Sequence, residues 1–360
     1  MNGSTVRVLA LRWGFRVLFG MPKRARRLMA GPPIRRDGQV LDLDLQLLGR
    51  VAALLESSDG GTLDQSVLAE QRRQADFAAE VAAESGPDDI ETRDLQVPGA
   101  AGPLAARLYV PPSAPVSSAM LVYFHGGGFV LGSVASIDPL CRLLAAQSGV
   151  RLLSVDYRLA PEYPYPAALD DAIAAFRWAR AHAVELGARP ELVAVGGDSA
   201  GGNLALVVAH EQETDELPAF VLALYPVTDA DRRGGSRETF GAGFGLTFEY
   251  LQQLERLYLP DGVPTDDTRG AILRAPDLSD MPPVYIATAG FDPLRDDGEE
   301  LADRLRTDGV PIVARRFPGL VHGYAGFTAI SAAARDATLD AASALRAALA
   351  LVESRRAVRR

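Results

Sequence analysis

The period of the apolar positions changes along this chain, and the change divides it. From about residue 37 to 85 they recur at helical spacing, with Leu41, Leu45, Leu48, Ala52 and Leu55 on one stripe. Ser57 to Gly61 interrupts the stripe and Leu63 to Ala83 resumes it, before Ser85-Gly86-Pro87 reads as a hinge. Beyond residue 90, short apolar runs alternate with longer amphipathic ones. Strands are predicted at about 95–97, 105–110, 119–124, 151–156, 191–196, 219–225, 284–289 and 312–317. The first two read as edge strands, separated by the Gly/Pro turn at 98–103 and closed by Pro111-Pro112. Helices are predicted at about 138–147, 167–182, 200–211, 294–308 and 332–353. Such alternation predicts an α/β fold, with one mostly parallel eight-stranded sheet and helices on both faces.

Two stretches depart from this rhythm. Residues 228–282 are too long for a bare crossover and contain Gly241-Ala242-Gly243-Phe244-Gly245, then a helical pattern from Thr247 to Tyr258. Connections of this length are usually functional or carry structure of their own. Phe240, Phe244, Phe248 and Tyr250 are candidates there, either to line a pocket or to hold the segment together. The other stretch is residues 1–36, apolar from Val6 to Phe19 with arginines interspersed. On a helical wheel Arg12, Arg16 and Lys23 fall within about 40° of one another, leaving a broad apolar arc. That arc needs cover. Docking on the neighbouring helices or a flexible arm comes first, a membrane interface second and nucleic acid a distant third.

Composition sharpens the division. The formal net charge is −9, yet residues 1–36 hold nine basic groups and no acid, so the remainder carries 28 basic against 46 acidic residues. An acidic body argues against nucleic-acid binding. Cys141 is alone, which excludes an internal disulfide. No metal-ligand cluster and no apolar run of eighteen residues is visible, so neither a metal nor a spanning helix is expected.

The chemistry gathers at the ends of predicted strands. Gly197-Asp198-Ser199-Ala200-Gly201 follows the apolar run Leu192 to Val195 and precedes a helical pattern. This is the spacing of a nucleophile elbow, whose sharp turn lifts a serine oxygen above the sheet. Alone it is a weak signal, because turns collect glycine and serine. Upstream, His125-Gly126-Gly127-Gly128-Phe129 follows the strand Met120 to Phe124, as in a loop whose amides complete an oxyanion hole. Downstream stand Gly290-Phe291-Asp292-Pro293-Leu294 and Leu320-Val321-His322-Gly323-Tyr324. Serine, acid and histidine thus appear in α/β-hydrolase order.

Together with Asp156-Tyr157-Arg158-Leu159-Ala160-Pro161-Glu162, these motifs resemble the hormone-sensitive-lipase-like (bacterial family IV) esterases from about residue 95 to 322 and beyond. The resemblance implies an α/β-hydrolase fold with a helical cap. It divides the chain into an arm (1–36), cap helices (37–90) and a catalytic domain (91–360) with a second cap segment at 228–282. Among four histidines, His182 and His210 lie near helix C-termini, where a dipole role is the default, and His125 opens the glycine loop. His322 remains as the base, with Ser199 as nucleophile and Asp292 as the acid that orients the imidazole. Asp296 and Asp297 are rivals for the acid but fall in a first helical turn, and Asp198 reads as shaping the elbow. Gly127, Gly128 and Ala200 would donate to the oxyanion, His125 and Gly126 would support that loop, and Phe129, Phe240, Phe244 and Tyr324 would line the pocket.

The expected activity is hydrolysis of short- to medium-chain acyl esters, without cofactor or metal. A lipase, deacetylase or amidase on the same fold, and a non-catalytic ligand-binding relative, are the alternatives; His322 speaks against the last. The expected partners are a small-molecule ester, a membrane surface touching residues 1–36, and a second copy paired through the edge strand at 312–317. The expected location is cytoplasmic, with membrane association through the arm.

Overall fold

The computed structural model describes all residues except 1–2, 56–62, 64–67, 85, 116–117, 231, 263–266 and 360. The break at Ser57 to Gly61, the hinge residue Ser85 and part of the resumed stripe lie outside the described residues. In chain order come helices α1 (Gly3–Phe19) and α2 (Lys23–Ala30) and the short strands β1 (Arg35–Arg36) and β2 (Gln39–Val40). Helices α3 (Leu43–Leu55) and α4 (Leu68–Ala82) and strands β3 (Glu91–Pro98), β4 (Pro103–Val110) and β5 (Ser118–Phe124) follow. The chain continues through α5 (Val134–Ser148), β6 (Arg151–Val155), α6 (Ala167–Ala181), β7 (Ala188–Asp198), α7 (Ala200–His210) and β8 (Val221–Leu224). It ends with α8 (Ser236–Thr239), α9 (Phe248–Tyr258), β9 (Val284–Phe291), α10 (Arg295–Thr307), β10 (Ile312–Val321) and α11 (Ala332–Arg359).

Strands β3 to β10 form one eight-stranded sheet in the order β10-β9-β8-β7-β5-β6-β4-β3. All pairings are parallel except β3 with β4 and β4 with β6. β4 is therefore not an edge strand, contrary to the sequence expectation; β3 alone closes that side. The turn at 98–103 fixes the β3–β4 hairpin but says nothing about β4's other neighbour. Alternation along β5 shows why the sheet is buried on both faces. Met120, Val122 and Phe124 join the apolar layer that includes α6, α7 and α10 side chains, while Leu121 and Tyr123 join the layer under α5 and α11. Helix α5 begins at Val134, a turn before its predicted start, because Ser133 and Ser136 form a capping box.

In-register pairing aligns the strand ends that carry the motifs. Phe124 lies beside Gly197, Asp198 beside Leu224, and Val321 beside Phe291. The loops after β5, β7, β9 and β10 consequently open on one rim.

The arm is docked. Arg12 of α1 donates to the Glu80 carbonyl on α4 at 3.1 and 2.6 Å. Arg26 of α2 pairs with Asp44 on α3, and Arg27 donates to Gln46 Oε1 at 3.0 Å. Residues 37–42 then brace the rim: Asp37 pairs with Arg295 at 2.6 Å, Gln39 Nε2 donates to the Gly290 carbonyl at 3.2 Å, and the Asp42 amide donates to the Gly319 carbonyl at 2.9 Å. No helix among the described residues is long and apolar enough to cross a membrane.

Segment 228–282 is tied down by a buried charge cluster. Arg237 is 0% exposed and donates to Asp297 Oδ2 at 3.0 Å, Glu255 Oε1 at 2.8 Å and the Asp229 carbonyl at 2.8 Å. Burial raises the Asp297 carboxyl above its ordinary value, and Arg237 opposes that rise. Removing one member strands a buried charge. Arg237→Leu is expected to lower unfolding free energy by about 3–5 kcal/mol, read from urea denaturation, with a loss below about 1 kcal/mol counting against the cluster as an anchor.

Candidate active site

Ser199 stands between β7 and α7 with φ 53° and ψ −115°, a conformation rare for any residue with a side chain. Close packing holds it there. A Cβ at Gly201 would land on the Phe124 carbonyl oxygen, so only glycine lets α7 start this near β5. The Ser199 amide donates to the Leu224 carbonyl at 2.8 Å, fixing the turn from the other side.

Three side chains far apart in sequence meet at this turn. His322 Nε2 lies 2.9 Å from Ser199 Oγ, and His322 Nδ1 lies 2.9 Å from Asp292 Oδ2. Asp292 is fully buried, and its other oxygen accepts the Leu294 amide at 2.7 Å. With Nδ1–H donating to the carboxylate, Nε2 is left to accept the serine proton. Tyr225 sets its ring edge-on to the imidazole, 5.0 Å between centroids, from an unusual φ of 38°. The rivals Asp296 and Asp297 are engaged elsewhere, by the Ser236 amide at 2.8 Å and by Arg237.

The glycine loop lies against the same serine. Gly127 has φ 117° and a Cβ there would strike the Leu131 carbonyl; Gly128 has φ 62°. Gly127, Gly128, Ser199, Ala200 and His322 border one cavity of about 260 Å³, and Ala200 opens α7, whose first amides have no acceptor within the helix. His125 stacks on Tyr157 at 4.4 Å and bonds through Nδ1 to the Gly126 carbonyl at 2.7 Å. Tyr157 OH donates to the His125 carbonyl at 2.7 Å, and Asp156 accepts the Val134 amide at 2.7 Å. His182 caps α6 through Trp178, and His210 ends α7.

Sequence reasoning left Asp198 without partners. Its carboxylate accepts the Tyr123 hydroxyl and the Gly126 amide, each at 3.0 Å, so one side chain joins the elbow to the glycine loop. Burial pushes this carboxyl above its ordinary value, and the Tyr123 hydrogen bond draws it back. Nothing local marks Tyr123, whose partner lies 75 residues away.

The pocket expectation divides. Phe129 borders the 260 Å³ cavity, stacked on Tyr258 at 3.8 Å, and Phe244 borders a second cavity of about 1120 Å³. Phe240 and Tyr324, contrary to expectation, border neither. Phe240 is buried against Phe244 and Phe291, under the Arg295 guanidinium, and Tyr324 lies behind Tyr225. Both lie in the apolar layer under α5 and α11, so their rings face core. Leu246 and Tyr250 border both cavities, and Phe248 borders neither. Among the described residues no cluster of side chains could hold a metal.

A family model described as the alpha/beta hydrolase fold matches residues 121–326, the span that contains the loops after β5, β7, β9 and β10. This chain is a hormone-sensitive-lipase-like α/β-hydrolase. The hydrolase is 40% identical to carboxylic ester hydrolase LipN of Mycobacterium tuberculosis over 98% of this chain and 94% of the relative. It is also 40% identical to carboxylesterase NlhH of the same organism, over 68% of this chain and 79% of the relative. Among solved structures it is similar to an ester hydrolase from the Lake Arreo metagenome, with TM-score 0.80, 35% identity and coverage of 85% and 98%. An esterase of Pyrobaculum calidifontis gives TM-score 0.76 and 34% identity over 85% and 98% of the two chains.

The Tyr123–Asp198 bond generates a prediction. Tyr123→Phe leaves the ring and removes one bond to a buried carboxyl, a loss of about 1–3 kcal/mol in unfolding free energy. Reactivity of Ser199 toward a fluorophosphonate is expected to fall as well, because the same carboxylate holds Gly126. Unchanged stability and labelling rate would show that the bond does not position the loop.

Proposed function

We propose that this hydrolase is a serine carboxylesterase acting on short- to medium-chain acyl esters. The observation that carries the reading is the 2.9 Å and 2.9 Å chain Ser199–His322–Asp292, with Gly127, Gly128 and Ala200 bordering the same cavity. Ser199 Oγ forms a bond to the ester carbonyl carbon while its proton passes to His322 Nε2. The negative charge on the carbonyl oxygen is met by the three backbone N–H groups, with the N-terminus of α7 aimed at it. As the ester C–O bond breaks, His322 gives the proton to the leaving alkoxide. Water, deprotonated by the same imidazole, then releases the acid from Ser199. Asp292 stabilises the imidazolium at each stage. The names of the relatives, carboxylic ester hydrolase and carboxylesterase, support this class of reaction.

We place the protein in the cytoplasm, with peripheral membrane contact through the arm: Trp13 is 70% and Leu28 85% exposed, among Arg16, Lys23 and Arg24. β10 is a terminal strand of the sheet with Val313 exposed, which supports pairing with a second copy.

Ser199→Ala is expected to lower turnover of 4-nitrophenyl acetate by about 10⁴- to 10⁶-fold, as for a triad acting as a unit. A panel of 4-nitrophenyl esters from acetate to palmitate, with a serine-reactive phosphonate, checks both nucleophile and chain length. Near-normal activity of the alanine variant would sink the assignment. For the arm, flotation with anionic vesicles is expected for the full chain and not after Trp13→Asp with Leu28→Asp; failure of the unaltered chain to float removes the membrane contact.

A further inference from the structure

Helix α1 is apolar on two opposite sides. Phe15 lines the 1120 Å³ cavity, while Trp13 and Val17 are exposed. Each stands two residues from Phe15, and so about 160° around the helix from it. A wall one helix thick thus divides that chamber from the outside. We propose that this wall frames a port: the protein rests on an anionic bilayer, and an ester dissolved in the bilayer reaches Ser199 through the chamber. The inference rests on the esterase reading and the membrane contact above, and deepens both by naming the substrate class, an ester that partitions into lipid.

Three residues put the mouth of the chamber at the exposed surface of the arm. Leu11, Pro32 and Ile34 line the chamber yet are themselves exposed, Leu11 at 41% and Ile34 at 36%. Near them in the chain stand Trp13, Leu28 and Met29, large apolar side chains that the fold leaves in water. At its inner end the chamber borders His322, whose Nε2 lies 2.9 Å from Ser199 Oγ. Phe77, Val81 and Phe244 make its walls mainly apolar. Gln46, a polar wall residue, already spends its amide protons on the Ala30 and Pro32 carbonyls. An apolar chain crosses such a path freely; a sugar or a charged group would give up its hydrogen bonds to water.

Charge selects the occupant of the outer face. Arg16, Lys23, Arg24, Arg35 and Arg36 are exposed on the same segment, and residues 1–36 hold no acid. A second copy packed arm to arm would bring like charge to the contact and be repelled. Anionic headgroups over a hydrocarbon interior match both the basic and the apolar side chains, with tryptophan at the boundary between them. The arm is also fixed to the body, which makes the patch a shaped surface. Arg12 donates to the Glu80 carbonyl, and Leu18 and Phe19 pack on Ala30, Leu43 and Leu47.

The test dissolves 4-nitrophenyl decanoate in vesicles of phosphatidylcholine, with or without added phosphatidylglycerol, and takes each rate as a ratio to 4-nitrophenyl acetate in buffer. Both vesicles dissolve the ester, so the difference between them reads where the enzyme sits. The full-length enzyme is expected to hydrolyse the decanoate at least about tenfold faster on the anionic vesicles, a gain that high salt removes. Trp13→Asp with Leu28→Asp is expected to abolish the gain together with flotation. Ile34→Arg separates passage from adsorption. It keeps the surface basic, so flotation persists, but sets a charge in the mouth, and the ratio on anionic vesicles is expected to fall at least about fivefold. Flotation without a gain overturns the port and leaves the membrane contact standing. A gain that Ile34→Arg leaves intact overturns the chamber as the route. Failure to float, or a dimer in solution that Trp13→Asp dissolves, overturns the bilayer as occupant. Absence of Ser199-dependent hydrolysis of 4-nitrophenyl acetate overturns the esterase reading itself.

Discussion

The backbone of Ser199 is held where an L-residue is rarely found, at a cost of order 1–3 kcal/mol that its surroundings must offset. They do so by contact. Gly201 brings α7 against the end of β5, the Ser199 amide is bonded to β8, and Asp198 is gripped by Tyr123 and Gly126. The strain and the close packing have one cause: the turn must be sharp enough to raise Oγ clear of the sheet, and a sharp turn leaves no room beside it. Loss of a neighbour would let the turn relax and withdraw the oxygen from His322.

Much of this was legible because the chemistry sits where strands end, and strand ends are marked locally. Apolar runs such as Leu192 to Val195 predict buried strands, and the glycine and proline clusters after them predict turns. Ser199, Asp292 and His322 follow three such strands, and the parallel register puts all three on one rim. The illegible parts depend on distance or direction. β4 reads as an edge because its second neighbour, β6, arrives some forty residues later. Phe240 and Tyr324 are aromatic and near the motifs, yet whether a ring turns toward cavity or core is settled by packing no local pattern encodes. Tyr123–Asp198 and Arg237–Asp297 join residues 75 and 60 positions apart.

Segment 228–282 shows how a long insertion becomes part of a rigid wall. Its aromatic residues divide the work: Phe240 fills space against Phe291, while Tyr250 and Tyr258 shape the cavities. The buried Arg237 of α8 holds the segment to α10 through Asp297 and, within the segment, ties α8 to α9 through Glu255. Such ionic cores contribute less net stability than apolar packing would, but they punish any arrangement that leaves a charge alone. Fixed geometry is the return for that arrangement.

The brace formed by residues 37–42 couples regions that the chain order keeps apart. It grips the strand end before Asp292 through Gly290, the helix after it through Arg295, and the strand before His322 through Gly319. Asp292 and His322 thus follow neighbouring strands clasped by one hairpin from far earlier in the polypeptide. During biosynthesis that hairpin emerges well before the two strands it clasps, Gly290 lying 251 residues after Gln39. The Ser199–His322–Asp292 contacts consequently form only once strands β9 and β10 have met a hairpin made long before them.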